Sequence, residues 1–401
     1  MGSKRAAFVA ALAVSVLAVS SCGGDSGSGS NGSSGSSDGP MKIHALVALS
    51  GPIAVVGAAM QQGMDVAVQL VNESGGVLGK PLEINYIDNA GSADQSAAKL
   101  QELLSAGKPH AVIPGSASEI PAGIPILAQA GVFTSQHFTS ATFNDPKKYP
   151  LAFGNAHTIP DYVGSLVDEA KKRGYRSIGI LDIDDASGEA FEAVAKPAFG
   201  EAGISVTFAQ VPPESIDATP QLQQVLAGNP DALVFAGYSP AAGAMAKART
   251  KLGVKVPTLG AQTFSANNLA DLAAESDYDG IVFQQLATSV KGTPQTESEA
   301  FKKFYDAVLA KAGGDLPFPI NTYLVAYHDV ILAASAANLA GSLDPEQMAK
   351  ALEGAKPADM PLYVNPVTFS ADSHFSTFGP EDFVFTAYGP VEKGLSVPPP
   401  A

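Results

Sequence analysis

The residues of this chain best suited to hold an anion are hydroxyls in short loops that follow apolar, strand-like runs. Ser116 and Ser118 lie in Pro114-Gly115-Ser116-Ala117-Ser118-Glu119, after a run at 111–113. Thr139 lies in Gln136-His137-Phe138-Thr139-Ser140, after a short run at 132–135. A hydroxyl beside free backbone amides at a helix start can bind a carboxylate, helped by the positive end of the helix dipole. Capping is the competing use: Ser116 and Glu119 fit a capping box, the stronger reading for Ser116, while Ser118 and Thr139 stand evenly between the two roles. His137, an isolated loop histidine, reads as a wall residue more readily than as a ligand donor. Three loops in the second half occupy equivalent places: 184–188, Gly237-Tyr238-Ser239-Pro240 and Gly260-Ala261-Gln262-Thr263-Phe264. Motifs for turnover are missing. There is no His-Glu-x-x-His, no Gly-x-Ser-x-Gly beyond residue 40, and the six histidines are scattered without metal-ligand spacing. The expectation is a binding protein, not an enzyme, without metal or cofactor.

The elements that must position these loops alternate in type. Strands are expected at 42–49, 83–88, 111–113, 177–182, 205–210, 232–236 and 280–284. Helices are expected at 57–73, 94–104, 119–130, 162–173, 189–200, 220–226, 241–252, 298–311, 322–340 and 345–352. Gly or Pro punctuates most boundaries. Strand–helix alternation of this kind predicts an α/β fold with parallel sheets covered on both faces. The two βα series divide near Ala156, so two similar lobes are expected. In open α/β sheets a ligand sits beyond the carboxyl ends of the strands, which selects the loops above.

The N-terminal segment says where this body works. Lys4 and Arg5 precede an apolar run from Phe8 to Val19, shorter than the about 20 residues a membrane span needs. The run ends in Val19-Ser20-Ser21-Cys22, which resembles a bacterial lipobox, with Val19 where Leu is usual. Cys22 is the only cysteine, so lipidation there is expected and disulfides are excluded. Residues 23–40 are nearly all Gly, Ser, Asp and Asn, the composition of a flexible linker. A Gly-x-Gly-x-x-Gly match inside it has no strand before it and no helix after it, and carries no chemistry. The net charge of −15 argues against nucleic acid and anionic lipid headgroups as partners. The roughly 360 residues beyond the linker suffice for two domains.

From Lys42 to Val391 the chain resembles the type I periplasmic binding proteins, and within them the leucine/isoleucine/valine-binding receptors of ABC transporters. The resemblance is carried by Leu49-Ser50-Gly51-Pro52-Ile53-Ala54, by Val71-Asn72-Glu73-Ser74-Gly75-Gly76-Val77-Leu78-Gly79, by Ile87-Asp88-Asn89, and by the run from Asn229-Pro230-Asp231 to Tyr238. It implies two Rossmann-like lobes joined by three crossovers, near 154–159, 284–289 and 370–378, closing on a solute that is then passed to a membrane permease. The implied division is 1–21 signal peptide, 22–40 lipid-anchored linker, 41–156 with 290–372 as the first lobe, and 157–289 with 373–401 as the second. The implied protein is extracytoplasmic, anchored to the cell membrane by its lipid and monomeric. A sensor lipoprotein that presents a bound solute to a membrane receptor is the alternative.

The family's carboxylate-binding serine and threonine correspond to Ser118 and Thr139, with backbone help around Ala117 and His137, and its second-lobe tyrosine to Tyr238. Gln262 stands where amino-acid receptors carry the acid that pairs with the ligand's ammonium. An amide cannot neutralise a desolvated cation; Asp184 or Asp185 could substitute. Val56 replaces an aromatic residue of the Gly-Pro loop, and Gln136-His137-Phe138 replaces small residues, so Phe138 and Phe264 would line a differently shaped pocket. The ligand expected from these departures is a carboxylate without an α-amino group, an aromatic or aliphatic acid, with an amino acid next.

Overall fold

In the computed structural model the described residues are 39–115, 119–137, 141–365, 367–376 and 378–399. The first lobe is built from β1 (Lys42–Val47), α1 (Ala54–Glu73), β2 (Glu83–Asp88), α2 (Ala93–Ala106), β3 (Ala111–Ile113), α3 (Glu119–Ala130), β4 (Phe133–Gln136) and β5 (Ala152–Gly154). Its strands form one sheet in the order β2-β1-β3-β4-β5, every pair parallel.

The second lobe follows with α4 (Ile159–Arg173), β6 (Ser177–Ile183), α5 (Ala186–Glu201), β7 (Ser205–Val211), α6 (Thr219–Leu226), β8 (Ala232–Ala236), α7 (Ser239–Lys251), β9 (Thr258–Gly260), α8 (Gln262–Ser265), α9 (Leu269–Leu272) and β10 (Ile281–Leu286). The chain then adds α10 (Glu299–Lys311), α11 (Ile320–Ala340) and α12 (Pro345–Glu353) to the first lobe's core before β11 (Phe383–Ala387) joins the second sheet. That sheet runs β11-β10-β9-β8-β6-β7, parallel except for β11. The chain therefore passes between the sheets three times. Two of the passages touch, as Gly154 donates to the His374 carbonyl at 2.9 Å and accepts from Ser376 N–H at 2.9 Å.

Local chemistry explains the elements. β8 is Ala-Leu-Val-Phe-Ala and buried throughout, as a strand covered on both faces must be. Side-chain caps start several helices: Ser92 accepts from Gln95 N–H, Ser298 from Phe301 N–H and Asp344 from Gln347 N–H. The α4 helix starts with a Thr158/Asp161 capping box and stops at Gly174 in the left-handed conformation. α11 is apolar nearly all round because it is the central helix of the first lobe's core, packed against α1. Among the described residues no single helix is long and apolar enough to cross a membrane. The contact of α1 with α11 is close enough that a Cβ on Gly63 would lie 2.1 Å from the Tyr323 carbonyl oxygen.

The motifs behind the family resemblance do structural work. Asn72 donates to the Leu82 carbonyl at 3.1 Å and accepts from Leu82 N–H at 2.6 Å, bracing the Gly75-Gly76 turn. Asp231 accepts from the N–H groups of Arg176 and Ser177, tying the turn before β8 to the start of β6. The C-terminal segment departs from the expected division. β12 (Val391–Glu392) pairs with β13 (Leu395–Ser396), and Leu395 packs in the first lobe's core although 373–401 was expected in the second. Ile320 N–H donates to the Gly394 carbonyl and Lys291 N–H to that of Ser396, which draws this hairpin to the start of α11.

Candidate functional site

Each sheet reverses its winding once, at β1/β3 in the first lobe and at β6/β8 in the second. Crevices at such switch points, beyond the strand ends, are where α/β sheets receive ligands. In the first lobe the loop after β1 is pinned from β2: Asp88 Oδ1 accepts the N–H groups of Leu49, Ser50 and Ala90 at 2.9–3.2 Å. A hydrogen bond from the Ser50 side chain, together with these backbone bonds, holds the Asp88 carboxyl below the usual carboxylate range. Next to this loop Asn89 is fully buried and donates to Ser96 Oγ. Ser116, Ala117, Ser118, Phe138 and Thr139 lie outside the described residues, as does Cys22.

His137 is described, at the end of β4. Its Nδ1 lies 2.6 Å from Asp329 Oδ2, and Asp329, on α11, is fully buried. Asp329 Oδ1 also accepts from Asn155 Nδ2 at 2.5 Å and Ser135 Oγ at 3.3 Å. One buried carboxylate thus ties together the ends of β4 and β5 and the middle of α11. His137 is thereby tied to α11. Val56 packs partly buried against the first lobe's core.

In the second lobe Asp182 and Ala236 are register partners at the switch point between β6 and β8. Beyond them opens a cavity of about 520 Å³ lined by Asp182, Tyr162, Phe191, Tyr238, Gln262 and Thr263, among others. Tyr162 and Phe191 stack at 5.9 Å, giving one wall a flat apolar surface. Asp182 is 2% exposed; its Oδ1 accepts Ile183 N–H at 2.8 Å, and its Oδ2 has no partner. Burial, with help from the charges of Asp185 and Glu192, pushes the Asp182 carboxyl up to about 7. Thr263 Oγ1 is likewise buried without a partner.

The other residues marked in the sequence fall into four groups. Tyr238 and Gln262 line this cavity. Gln262 also borders a second cavity, of about 240 Å³, with Gln284, Ser289, Asn321 and Thr322. Its backbone N–H donates to Gln284 Oε1 at 2.9 Å, and its side chain is hydrogen-bonded to His157. His157, in the first passage between the sheets, is pushed down to about 4 by burial. Asp185 is the N-cap of α5, accepting from Ser187 and Gly188 N–H at 2.8 and 3.1 Å and from Tyr238 Oη. Asp184 is exposed and lines neither cavity. Phe264 is a correction to the expected pocket wall. It is fully buried in the core, stacked on Phe283 at 5.8 Å and close to Phe235 at 5.7 Å, because α8 turns it back beneath the sheet end.

Sequence reasoning missed Asp182, His157 and Thr263. Asp182 carried a faint signal: it is the one acid in Ser177-Ile178-Gly179-Ile180-Leu181-Asp182-Ile183, a run otherwise fit for burial on both faces. No Lys or Arg lines either cavity among the described residues, and no cluster there could hold a metal ion.

Two α/β lobes linked by three passages, with cavities at the switch point and beside the linking strands, define a solute-binding receptor. The model of the family described as periplasmic binding protein matches residues 40–377, and the chain belongs to that family. A Leu/Ile/Val-binding protein of Rhizobium johnstonii is 22% identical over 333 residues, 82% of this chain and 86% of its own length. A type 1 periplasmic binding protein of Bordetella pertussis superposes with a TM-score of 0.70 at 19% identity, over 87% of this chain and 97% of the other. A solute-binding protein from R. palustris, solved in complex with 4-hydroxybenzoate, superposes with a TM-score of 0.68 at 22% identity, over 90% and 96%. As a member of the periplasmic binding protein family the chain is a solute receptor, not an enzyme.

Proposed function

We propose that this protein is the lipid-anchored, extracytoplasmic receptor of an ABC importer and that it captures a small organic carboxylate lacking an α-ammonium group. The observation that carries the ligand class is the state of the acids on the second lobe's side of the cleft. Asp185 is taken up by helix amides and Tyr238, Asp184 is exposed, and Gln262 carries an uncharged amide, its backbone N–H bonded to Gln284 and its side chain to His157. The remaining acid, Asp182, holds its proton up to about pH 7. An ammonium in the cavity that Asp182 lines would have to ionise it against its burial, and no other acid among the described residues lines that cavity. The ligand's own carboxylate belongs at the first lobe, near Ala117, Ser118 and Thr139. The N-terminus of α5 in the second lobe is already satisfied by Asp185.

Closure follows from differential affinity: a ligand that touches both lobes only in the closed state shifts the population toward it. Gln262 sits where such a shift would be felt, being bonded both to His157 in the first passage and to Gln284 near the second. Lipidation at Cys22 places the receptor on the outer face of the membrane that carries its permease.

A thermal-melt screen with two panels tests the ligand class, one of proteinogenic amino acids and one of aliphatic and aromatic carboxylates. A ligand at 100 times its Kd adds about 2.7 kcal/mol, a rise of a few degrees for a chain of this size. Stabilisation confined to the carboxylate panel is the expected result. Stabilisation by amino acids would show that an ionised acid reaches the ligand after all, Asp182 first.

A further inference from the structure

The cavity at the β6/β8 switch point holds two polar atoms that the fold leaves unanswered. Asp182 Oδ2 and Thr263 Oγ1 are both buried, both belong to lining residues, and neither has a hydrogen-bond partner. Leaving a buried polar atom unsatisfied is costly, so two at one cavity call for a physical reason. The surroundings supply one. Asp182 sits on the strand end where the sheet reverses its winding, and Gly188 at the start of α5 packs closely against it with no side chain between: a Cβ there would stand 3.2 Å from Asp182 Oδ2 and 1.9 Å from the Ile183 carbonyl oxygen. Both residues line a space of about 520 Å³ that has the Tyr162–Phe191 pair as a flat wall.

We propose that Asp182 and Thr263 together recognise an uncharged hydroxyl at the far end of the ligand, so that the solute is a hydroxylated carboxylic acid whose carboxylate is held by the first lobe. The proposal rests on the carboxylate reading above and adds the second pole of the ligand. A hydroxyl both donates and accepts, so one group can satisfy a carboxyl oxygen and a threonine hydroxyl together. An anionic end is disfavoured here, because Asp185 already occupies the amides of α5 and its charge lies close to Asp182. A cationic end would require Asp182 fully ionised in a place where burial favours its neutral form. Sites built to bond a ligand hydroxyl reject the analogue lacking it strongly, since their buried polar groups are then left unpaired.

The test is calorimetric titration of the full chain with matched pairs: benzoate with 4-hydroxybenzoate, and hexanoate with 6-hydroxyhexanoate. 4-(Aminomethyl)benzoate serves as the cationic counterpart. In at least one pair the hydroxy acid should bind ten-fold or more tightly than its parent. Thr263→Val and Asp182→Ala should each reduce that ratio below about three-fold. Equal binding of hydroxy acid and parent in both pairs overturns the proposal and leaves the carboxylate reading standing. An unchanged ratio in both variants also overturns it, because the hydroxyl is then read elsewhere. Preference for the aminomethyl compound, abolished by Asp182→Asn, overturns it in favour of a cation. Failure of every acid to bind removes the carboxylate reading and this proposal with it.

Discussion

Replacing Asp182 by Asn should make the protein more stable, and increasingly so as the pH rises. The side chain is 2% exposed, and burial raises its carboxyl from an ordinary 3.8 to about 7. A raised acid holds its proton in the folded chain after the unfolded chain has released it. Between about pH 4 and 7 the folded state therefore binds more protons, and stability falls as pH rises through that window, remaining low above it. The difference between the two values corresponds to about 4 kcal/mol at full development. Asn keeps an oxygen for Ile183 N–H and carries no charge, so it escapes the loss. Asp161 and Asp382, also raised by burial, act in the same direction in both proteins and cancel in the comparison. With unfolding entropy scaling with chain length, 4 kcal/mol is about 5 °C in melting temperature. Melts of wild type and Asp182→Asn at half-unit steps from pH 4.5 to 8.5 provide the assay. The two should nearly coincide at the acid end and separate by about 5 °C above pH 7. A gap that does not change with pH would refute the reasoning, because Asp182 would then titrate alike folded and unfolded.

Other consequences are open to the same measurements. His157, lowered to about 4 by burial, contributes stability that is present above about pH 6.5 and lost as pH falls toward 4; His157→Gln should flatten the acid limb of the melting curve, by up to about 3 kcal/mol. Gly63→Ala drives a methyl group against the Tyr323 carbonyl between α1 and α11, and should cost about 1–3 kcal/mol or more in denaturant unfolding. Asp329→Ala leaves His137, Asn155 and Ser135 without their shared acceptor; it should destabilise by about 3–5 kcal/mol and weaken every ligand together, whereas Thr263→Val should change selectivity with little effect on the melt.

Much of the architecture can be read from the chain because strands buried on both faces have few ways to be written. Ala232–Ala236 and Ser177–Ile183 are apolar runs between turn residues, and helix ends carry their caps openly, as at Ser92 and Asp344. Candidate site residues were legible only as loops, since strand order decides which loops meet. Asp185 looks like a ligand group in sequence, but the two amides that follow it make it a cap. Phe264 follows a strand end as a pocket residue would, yet one turn of helix carries its ring into the core. Asp182 stayed hidden because its role depends on β8 lying beside β6 and on the close approach of Gly188. The 391–396 hairpin crosses to the first lobe through backbone bonds near Lys291 and Ile320, which side-chain patterns do not announce.

The central claim is a solute receptor whose ligand has a carboxylate and no α-ammonium. It is tested most directly by calorimetry with isosteric pairs: leucine against 4-methylpentanoate, and phenylalanine against 3-phenylpropanoate. The account predicts that in at least one pair the deaminated acid binds and its amino acid is ten-fold weaker or worse. Tighter binding of leucine or phenylalanine than of their deaminated partners would contradict it.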